Sequence, residues 1–409
     1  MIFIKNNASM FQDNRMNTIQ CIGFQATGVA AGLKKNGRND LGLIFSRVPA
    51  TAAGVFTQNR VQAAPVVLDR ERIKTGVCQA VLVNSGNANC CTGEQGMRDA
   101  REMARLAASA LDIPEESVLV ASTGVIGQLL PVDKIQKSLP SLVQSLRPDG
   151  FMMLAEAIMT TDTVPKVVSR KGTLDGKVFT VTGTAKGAGM IAPNMATMLC
   201  FVCTDVGATA DQLHHSLSVS VQQSFNRITI DGDTSTNDTA LILANGLSGA
   251  IIQSPANLAV FQDILNDVLV TLAKMLVKDG EGATKLVEIR VRGAATDRDA
   301  RKIADTVAGS NLVKTAIFGE DANWGRILAA AGRAGVAFEP ERMDIFFNDV
   351  LMFSQGSGRG AAVEDEVTKV LKLSEFVITI DLHSGECQTS VWTCDFSVEY
   401  VRINADYRS

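Results

Sequence analysis

Runs that read as strands and runs that read as helices alternate from end to end of this 409-residue chain, with no low-complexity linker between them. Residues 80–83, 118–121, 178–181 and 376–382 read as strands, and in the last of these Phe376, Ile378, Ile380 and Leu382 share one face at period two. Helical spacing is clear in Leu213, Leu217, Val221 and Phe225, and again in Leu265, Leu269, Leu272 and Leu276. Met103, Leu106, Ala107 and Ala110 predict a third helix. This mixed order predicts an α/β fold, an α+β layered sandwich, rather than a helix bundle or a sandwich of sheets alone. The length corresponds to two or three domain-sized units.

Composition removes several function classes. Hydrophobic residues make up 46% and charged residues 20%, values that suit a globular chain with a large core. The net charge of -4, with no basic block, gives no reason to expect nucleic acid or an anionic membrane as partner. No apolar stretch approaches the roughly 20 residues that a membrane-spanning helix needs. The N-terminus is polar where a signal peptide would carry its apolar region, which predicts a cytoplasmic protein. Met10 and Met16 are alternative starts, so residues 1–17 read as an extension outside the native chain.

Eight cysteines in so long a chain are not a disulfide framework. Cys200 and Cys203 form one CxxC, but it sits in the apolar run MLCFVCTDV with no second pair beside it, so it reads as buried strand rather than metal site. Only three histidines are present, His214, His215 and His383. A Ser-His-Asp or Cys-His enzyme would have few bases to draw on.

Four glycine- and asparagine-rich turns interrupt the pattern: NSGNAN at 84–89, STGVIG at 122–127, KGAGMIAPNMATML at 186–199 and DGDTSTND at 231–238. In the third, a glycine pair and Pro193 fix a tight loop that runs into an apolar strand expected to begin at Thr197. Such a loop can set the Thr197 hydroxyl against the Ala196 carbonyl. An N-to-O acyl shift followed by hydrolysis would free the Thr197 α-amine, which titrates near about 7.7–8.0. That amine can deprotonate its own hydroxyl, and no histidine is needed. On these residues alone, an ordinary glycine loop before a strand is the favoured account of the segment.

The segment KGAGMIAPNMATML resembles the self-cleavage signature of the ornithine acetyltransferase family, and other segments match that family in order. They are GFQATGVAAGLKK at 23–35, VNSGNAN at 83–89, ASTGVIG at 121–127, MTTDTVPK at 159–166 and SFNRITIDGDTSTND at 224–238, then KDGEGATK at 278–285, VKTAIFGEDANWGRI at 313–327 and the terminal INADYRS. The resemblance implies an N-terminal-nucleophile-like self-processing acyltransferase, built from chains 18–196 and 197–409 cut from one precursor, with two copies of each in the assembly. It implies acetyl transfer from N-acetylornithine to glutamate in arginine biosynthesis, with acetyl-CoA as a second donor in some members. No metal or organic cofactor is implied.

By the same resemblance the cut falls between Ala196 and Thr197, and Thr197 is the nucleophile. Thr123 and Gly124 take the place of the oxyanion hole, where a hydroxyl and a backbone N–H are apt donors. Thr160, Lys186, Thr197, Glu281, Asn404 and Ser409 take the substrate positions. Lys186 can pair with a carboxylate and Glu281 with an ammonium, while Asn404 both donates and accepts. Ser409 departs from the family, which usually ends in Thr. A self-processing N-terminal-Thr amidase or aminopeptidase, with water in place of glutamate, is the rival enzyme class, and a binding protein without catalysis is the third.

Three other motifs point elsewhere and fail. The run 355–360, QGSGRG, fits a pyrophosphate-gripping loop, but Glu364, Asp365 and Glu366 would repel the anion at the next helix start. DGDTSTND resembles the start of a calcium loop, yet Thr236 stands where the turn glycine belongs and Ile242 where the bidentate Glu belongs. His214 and His215 lie on an amphipathic helix and read as surface or filler.

Overall fold

The structure, a computed structural model, describes residues 20–192 and 198–406. The expected extension 1–17 lies outside the described residues, as do Ala196, Thr197 and Ser409. The first half runs β1 (Phe24–Val29), β2 (Leu41–Phe56), α1 (Ala64–Arg72), β3 (Val77–Asn87), α2 (Gly93–Leu111), β4 (Val118–Val125), α3 (Val132–Gln144) and α4 (Phe151–Ile158), then β5 (Lys166–Leu174) and β6 (Lys177–Lys186). After residue 197 come β7 (Leu199–Thr204), α5 (Ala210–Gln223), β8 (Ile228–Thr229), β9 (Thr239–Ala244), α6 (Pro255–Lys278) and β10 (Leu286–Ala294). The rest comprises α7 (Asp297–Ala308), α8 (Asn311–Phe318), α9 (Trp324–Gly332), β11 (Asp344–Phe347), β12 (Val350–Ser354), β13 (Ser357–Gly358), α10 (Ala361–Leu371), β14 (Glu375–Asp381), β15 (Cys387–Cys394) and α11 (Val398–Asp406).

Among the described residues these strands make two sheets. One runs β4-β3-β2-β9-β7-β6-β5 with β1 added on β2, and the other runs β13-β12-β11-β14-β10-β15-β8. Helices cover both, so the layered α/β expectation holds. The first sheet draws strands from both sides of residue 197: β6 pairs antiparallel with β7, and β2 with β9. The second sheet comes wholly from the later half.

Apolar spacing explains how the layers close. Leu213, Leu217 and Val221 on α5 and Leu265, Leu269, Leu272 and Leu276 on α6 pack in one buried cluster with Val181, Cys200 and Val202 of the first sheet and Leu286 and Trp392 of the second. Gly183 lets α6 lie close, because a Cβ there would meet Leu272 and Val268 at 2.9 Å. Thr209 caps α5, its hydroxyl accepting from Gln212 N at 3.2 Å while the Gln212 side chain returns the bond to Thr209 N. In α2, Met103, Leu106 and Ala107 are buried as expected, but Ala110 is exposed and Ala104 and Ala108 join the buried face instead. The strand expected after the glycine loop is β7, which opens at Leu199, and its expected first residue, Thr197, lies outside the described residues.

Truncating the middle of α6 tests this packing. Leu269→Ala should cost about 2–5 kcal/mol, the range for a fully buried leucine, read as a lower midpoint in denaturant unfolding with an unchanged slope.

Candidate active site

Parallel pairing of β3 and β4 sets Asn84 beside Ser122, Ser85 beside Thr123 and Gly86 beside Gly124. Two of the glycine-rich turns therefore leave the sheet side by side. Asp69, fully buried on α1, accepts from Val120 N at 3.0 Å and pins β4 just ahead of the turn. At the crossing a Cβ on Gly124 would sit 2.4 Å from the Gly86 carbonyl carbon, and Gly124 has a φ of 132°, so only glycine fits there. Ser122 Oγ donates to Asn84 Oδ1 at 2.6 Å. Asn237 stitches a third turn to both, donating to Ala88 O at 2.7 Å and Ser122 O at 2.8 Å.

The fourth turn leaves β6 at Lys186, whose side chain is buried. Lys186 Nζ donates to Thr123 Oγ1 at 3.3 Å. An ammonium has only donors, so Thr123 must accept here and its own hydroxyl hydrogen stays free for another acceptor. Burial pushes the Lys186 ammonium below its ordinary pKa, while Asp162, Asp238 and Glu281 pull the other way. Asp162 Oδ1 accepts from Gly187 N at 2.7 Å and from Lys166 Nζ at 2.8 Å, and Oδ2 accepts from Thr160 N at 3.0 Å. Burial would raise this carboxyl, but Lys186 and Lys166 outweigh it and hold its pKa down to about 2. Lys166 reaches Asp279 as well, at 2.5 Å.

Glu281 stands at the other side of the pocket. Its backbone N–H donates to Ala188 O at 2.7 Å, and its carboxylate lies over Gly189, where a Cβ would meet it at 2.5 Å. Asn404, on the exposed α11, donates to Glu281 Oε2 at 2.8 Å. Thr123, Gly124, Thr160, Lys186, Glu281 and Asn404 thus line one pocket, together with Ala88, Ile126, Gly189 and the run Ser235, Thr236 and Asn237. Three residues expected here, Ala196, Thr197 and Ser409, lie outside the described residues. Sequence reasoning passed over Asp162, Lys166, Asp279 and Asn237. Asp162 and Lys166 pair with each other within the segment MTTDTVPK, but their partners Gly187 and Asp279 are brought to them by the fold.

Of the motifs set aside, the run 231–238 lines this pocket through Ser235, Thr236 and Asn237, whereas the others do not contribute to its lining. Gln355 and Gly356 form the hairpin turn between β12 and β13, and Gly358 packs within 2.9 Å of Trp324 when given a Cβ. His214 and His215 are exposed on α5. Cys200 and Cys203 are buried on β7, where burial pushes both thiols up. Among the described residues no helix is long and apolar enough to cross a membrane.

The model of the ArgJ family matches residues 25–409. A curated relative from Symbiobacterium thermophilum, the arginine biosynthesis bifunctional protein ArgJ, is 54% identical over 391 residues, covering 95% of this chain and 97% of its own. The protein of that name from Geobacter sulfurreducens is 52% identical over 389 residues, covering 95% of this chain and 99% of its own. A crystal structure of the arginine biosynthesis bifunctional protein argJ from Bacillus halodurans is 46% identical, covering 43% of this chain and 92% of that one, with a TM-score of 0.41.

The charge cluster under the pocket makes a stability prediction. Lys166→Met leaves Asp162 and Asp279 without their shared cation and should cost about 3–5 kcal/mol near neutral pH. Asp162 has a lowered pKa in the fold, so its contribution is present above the unfolded value of about 3.9 and lost as pH falls toward about 2. The gap between wild type and variant should therefore narrow across that window in urea unfolding series; a gap constant with pH would show that Asp162 does not depend on Lys166.

Proposed function

Because this chain belongs to the ArgJ family, we propose that it is a glutamate N-acetyltransferase of arginine biosynthesis, moving the acetyl group of N-acetylornithine to glutamate. The observation that supports this most directly is the Thr123 hydroxyl held as acceptor by the buried Lys186, beside Gly124 and facing the pocket. A hydroxyl oriented in this way is a ready donor to a developing oxyanion, and the Gly124 N–H is the second. Thr197 is the nucleophile in this reading. It is freed by a cut after Ala196 into chains of 196 and 213 residues, and its α-amine is the base.

Attack of the Thr197 hydroxyl on the acetyl carbonyl gives a tetrahedral oxyanion. Its collapse expels the amino group of ornithine, protonated by the Thr197 ammonium, and leaves an acetyl ester on Thr197. The glutamate amine then attacks that ester, and N-acetylglutamate leaves. Lys186 suits the carboxylate that both amino acids carry, and Glu281 suits the ammonium of ornithine, with Asn404 and Thr160 as further polar contacts. Ser409 supplies a hydroxyl at the end of the chain. Acetyl-CoA is a second donor in this proposal, as the bifunctional names of the relatives suggest. Two copies of each chain form the assembly, in the cytoplasm.

The deciding experiment follows the acetyl group. Purified protein should run as two bands in denaturing gels, and Thr197→Ala as one of 43.5 kDa. With N-acetylornithine present and glutamate absent, mass spectrometry should find one acetyl group on the Thr197 chain, and double-reciprocal plots at several glutamate concentrations should be parallel. Acetate release at a rate independent of glutamate would establish the amidase class instead.

The oxyanion role has its own expected outcome. Thr123→Ala should lower kcat by roughly 10²–10³, with little change in KM for N-acetylornithine, because the donor acts mainly in the transition state. A large rise in KM with kcat intact would make Thr123 a ground-state binding group.

A further inference from the structure

The acidic run DGDTSTND binds no calcium by its pattern, yet it packs against the described residues on either side of the segment in which the cut is proposed. Asp231 accepts from Met190 N through Oδ2 at 2.6 Å and from Ile191 N through Oδ1 at 2.9 Å. Ile230 N donates to Ile191 O at 2.8 Å, so the same stretch is held by both its amides and its carbonyl. Seven residues later, Asp238 Oδ1 accepts from Met198 N at 2.9 Å, and Thr239 N donates to Met198 O at 3.2 Å. The Met198 nitrogen is the one covalently joined to Thr197.

The run is itself rigidly mounted on the earlier half of the chain. Thr57 donates twice, from Oγ1 to Ser235 O at 2.7 Å and from N to Asp238 O at 3.0 Å. Ala63 N donates to Thr236 O at 3.0 Å, and Asn237 reaches Ala88 and Ser122 as described. Asp238 is fully buried, and its second oxygen makes no hydrogen bond among the described residues, with the Ser235 and Thr57 hydroxyls nearby.

We propose that residues 231–238 are a clamp for self-cleavage, in which Asp231 fixes the chain upstream of the cut and Asp238 fixes it downstream, both as positioning residues. The proposal rests on the self-cleavage reading above. A peptide bond rearranges fast only when the attacking hydroxyl and the carbonyl are held within about 3–3.5 Å in the right orientation. A single run gripping both flanks removes the freedom of the two ends to move independently. After the cut the same grips keep the new C-terminal stretch on Asp231 and the Thr197 end on Asp238.

The two carboxylates differ in how many oxygens they use, and that difference is testable. Asp231 uses both oxygens, Oδ1 for Ile191 N and Asp233 N and Oδ2 for Met190 N and the Tyr400 hydroxyl, whereas Asp238 needs one for Met198 N. Asn offers one acceptor oxygen. Freshly translated Asp231→Asn should therefore convert from one band to two at least about tenfold more slowly than wild type, the kinetic equivalent of one lost hydrogen bond to a charged group. Asp238→Asn should cleave within about threefold of wild type, because its amide oxygen still serves Met198.

Wild-type cleavage by Asp231→Asn, or a folded Asp238→Asn that stays uncut, would overturn the clamp. Should neither variant fold, amide hydrogen exchange in the uncut Thr197→Ala protein decides. Met190, Ile191 and Met198 should exchange as slowly as the amides of β7, and rapid exchange at these three would overturn it equally. A wild-type chain that never cleaves defeats the self-cleavage reading itself, a result these variants leave distinguishable.

Discussion

Two ammonium groups buried beneath the pocket, Lys166 and Lys186, set the terms for everything around it. Neither can stay ionised in a dry interior without carboxylates, and Asp162 stands against both while Asp279 completes Lys166. The arrangement does more than balance charge. Asp162 also takes the amides of Gly187 and Thr160, so one carboxylate joins the start of the glycine loop to the segment that follows α4. Asp279, at the end of α6, takes Thr163 N at 3.1 Å and fastens that segment to the central helix. Remove the ionic centre and three separate stretches lose their common point.

The same logic explains how a chain cut ahead of Thr197 could remain one body. The ladder between β6 and β7 runs from Val181 with Thr204 to Lys186 with Leu199, and β2 meets β9 over six residue pairs. Those bonds cross from one half to the other in the middle of the sheet rather than at its edge. The cluster under α5 and α6 is likewise shared, with Val168, Phe179 and Val181 from the earlier half against Phe261 and Leu265 from the later one. Breaking one peptide bond leaves all of this in place, so the proposed cut would not separate the layers.

Periodicity made the secondary elements legible because each pattern reports a face pressed against a neighbour. Leu265, Leu269, Leu272 and Leu276 are all fully buried on α6, and the alternation from Phe376 to Ile380 is the core face of β14. Ala110 misled because alanine is as acceptable on a helix surface as in its core, and the true buried neighbours, Ala104 and Ala108, are the same residue type. Thr123, Gly124, Thr160, Lys186, Glu281 and Asn404 were found through motif resemblance and stand around one pocket. Asp162 and Asp279 were not found, since a pairing of Lys166 with a residue 113 positions away leaves no local trace and charged residues are ordinarily read as surface. The run DGDTSTND announced itself as a turn rich in acceptors. Which N–H groups those acceptors would meet was written only in the fold.

The pocket's polarity gives its ligand a direction. Lys186 is buried beside Thr123, whereas Glu281 faces Asn404 on a helix that buries none of its residues. Cation and anion are thus placed at different depths, as the proposed binding of a substrate carrying both signs of charge requires. Gly189 is what allows this, because the Glu281 carboxylate occupies the space a side chain there would need. In the proposed reaction Lys186 has two jobs, since the cation that would draw in a carboxylate also donates to the Thr123 oxygen and leaves that hydroxyl's hydrogen free for another acceptor. The carboxylate that most opposes the desolvation of this buried ammonium, Asp162, is the same one that fixes the backbone of the glycine loop.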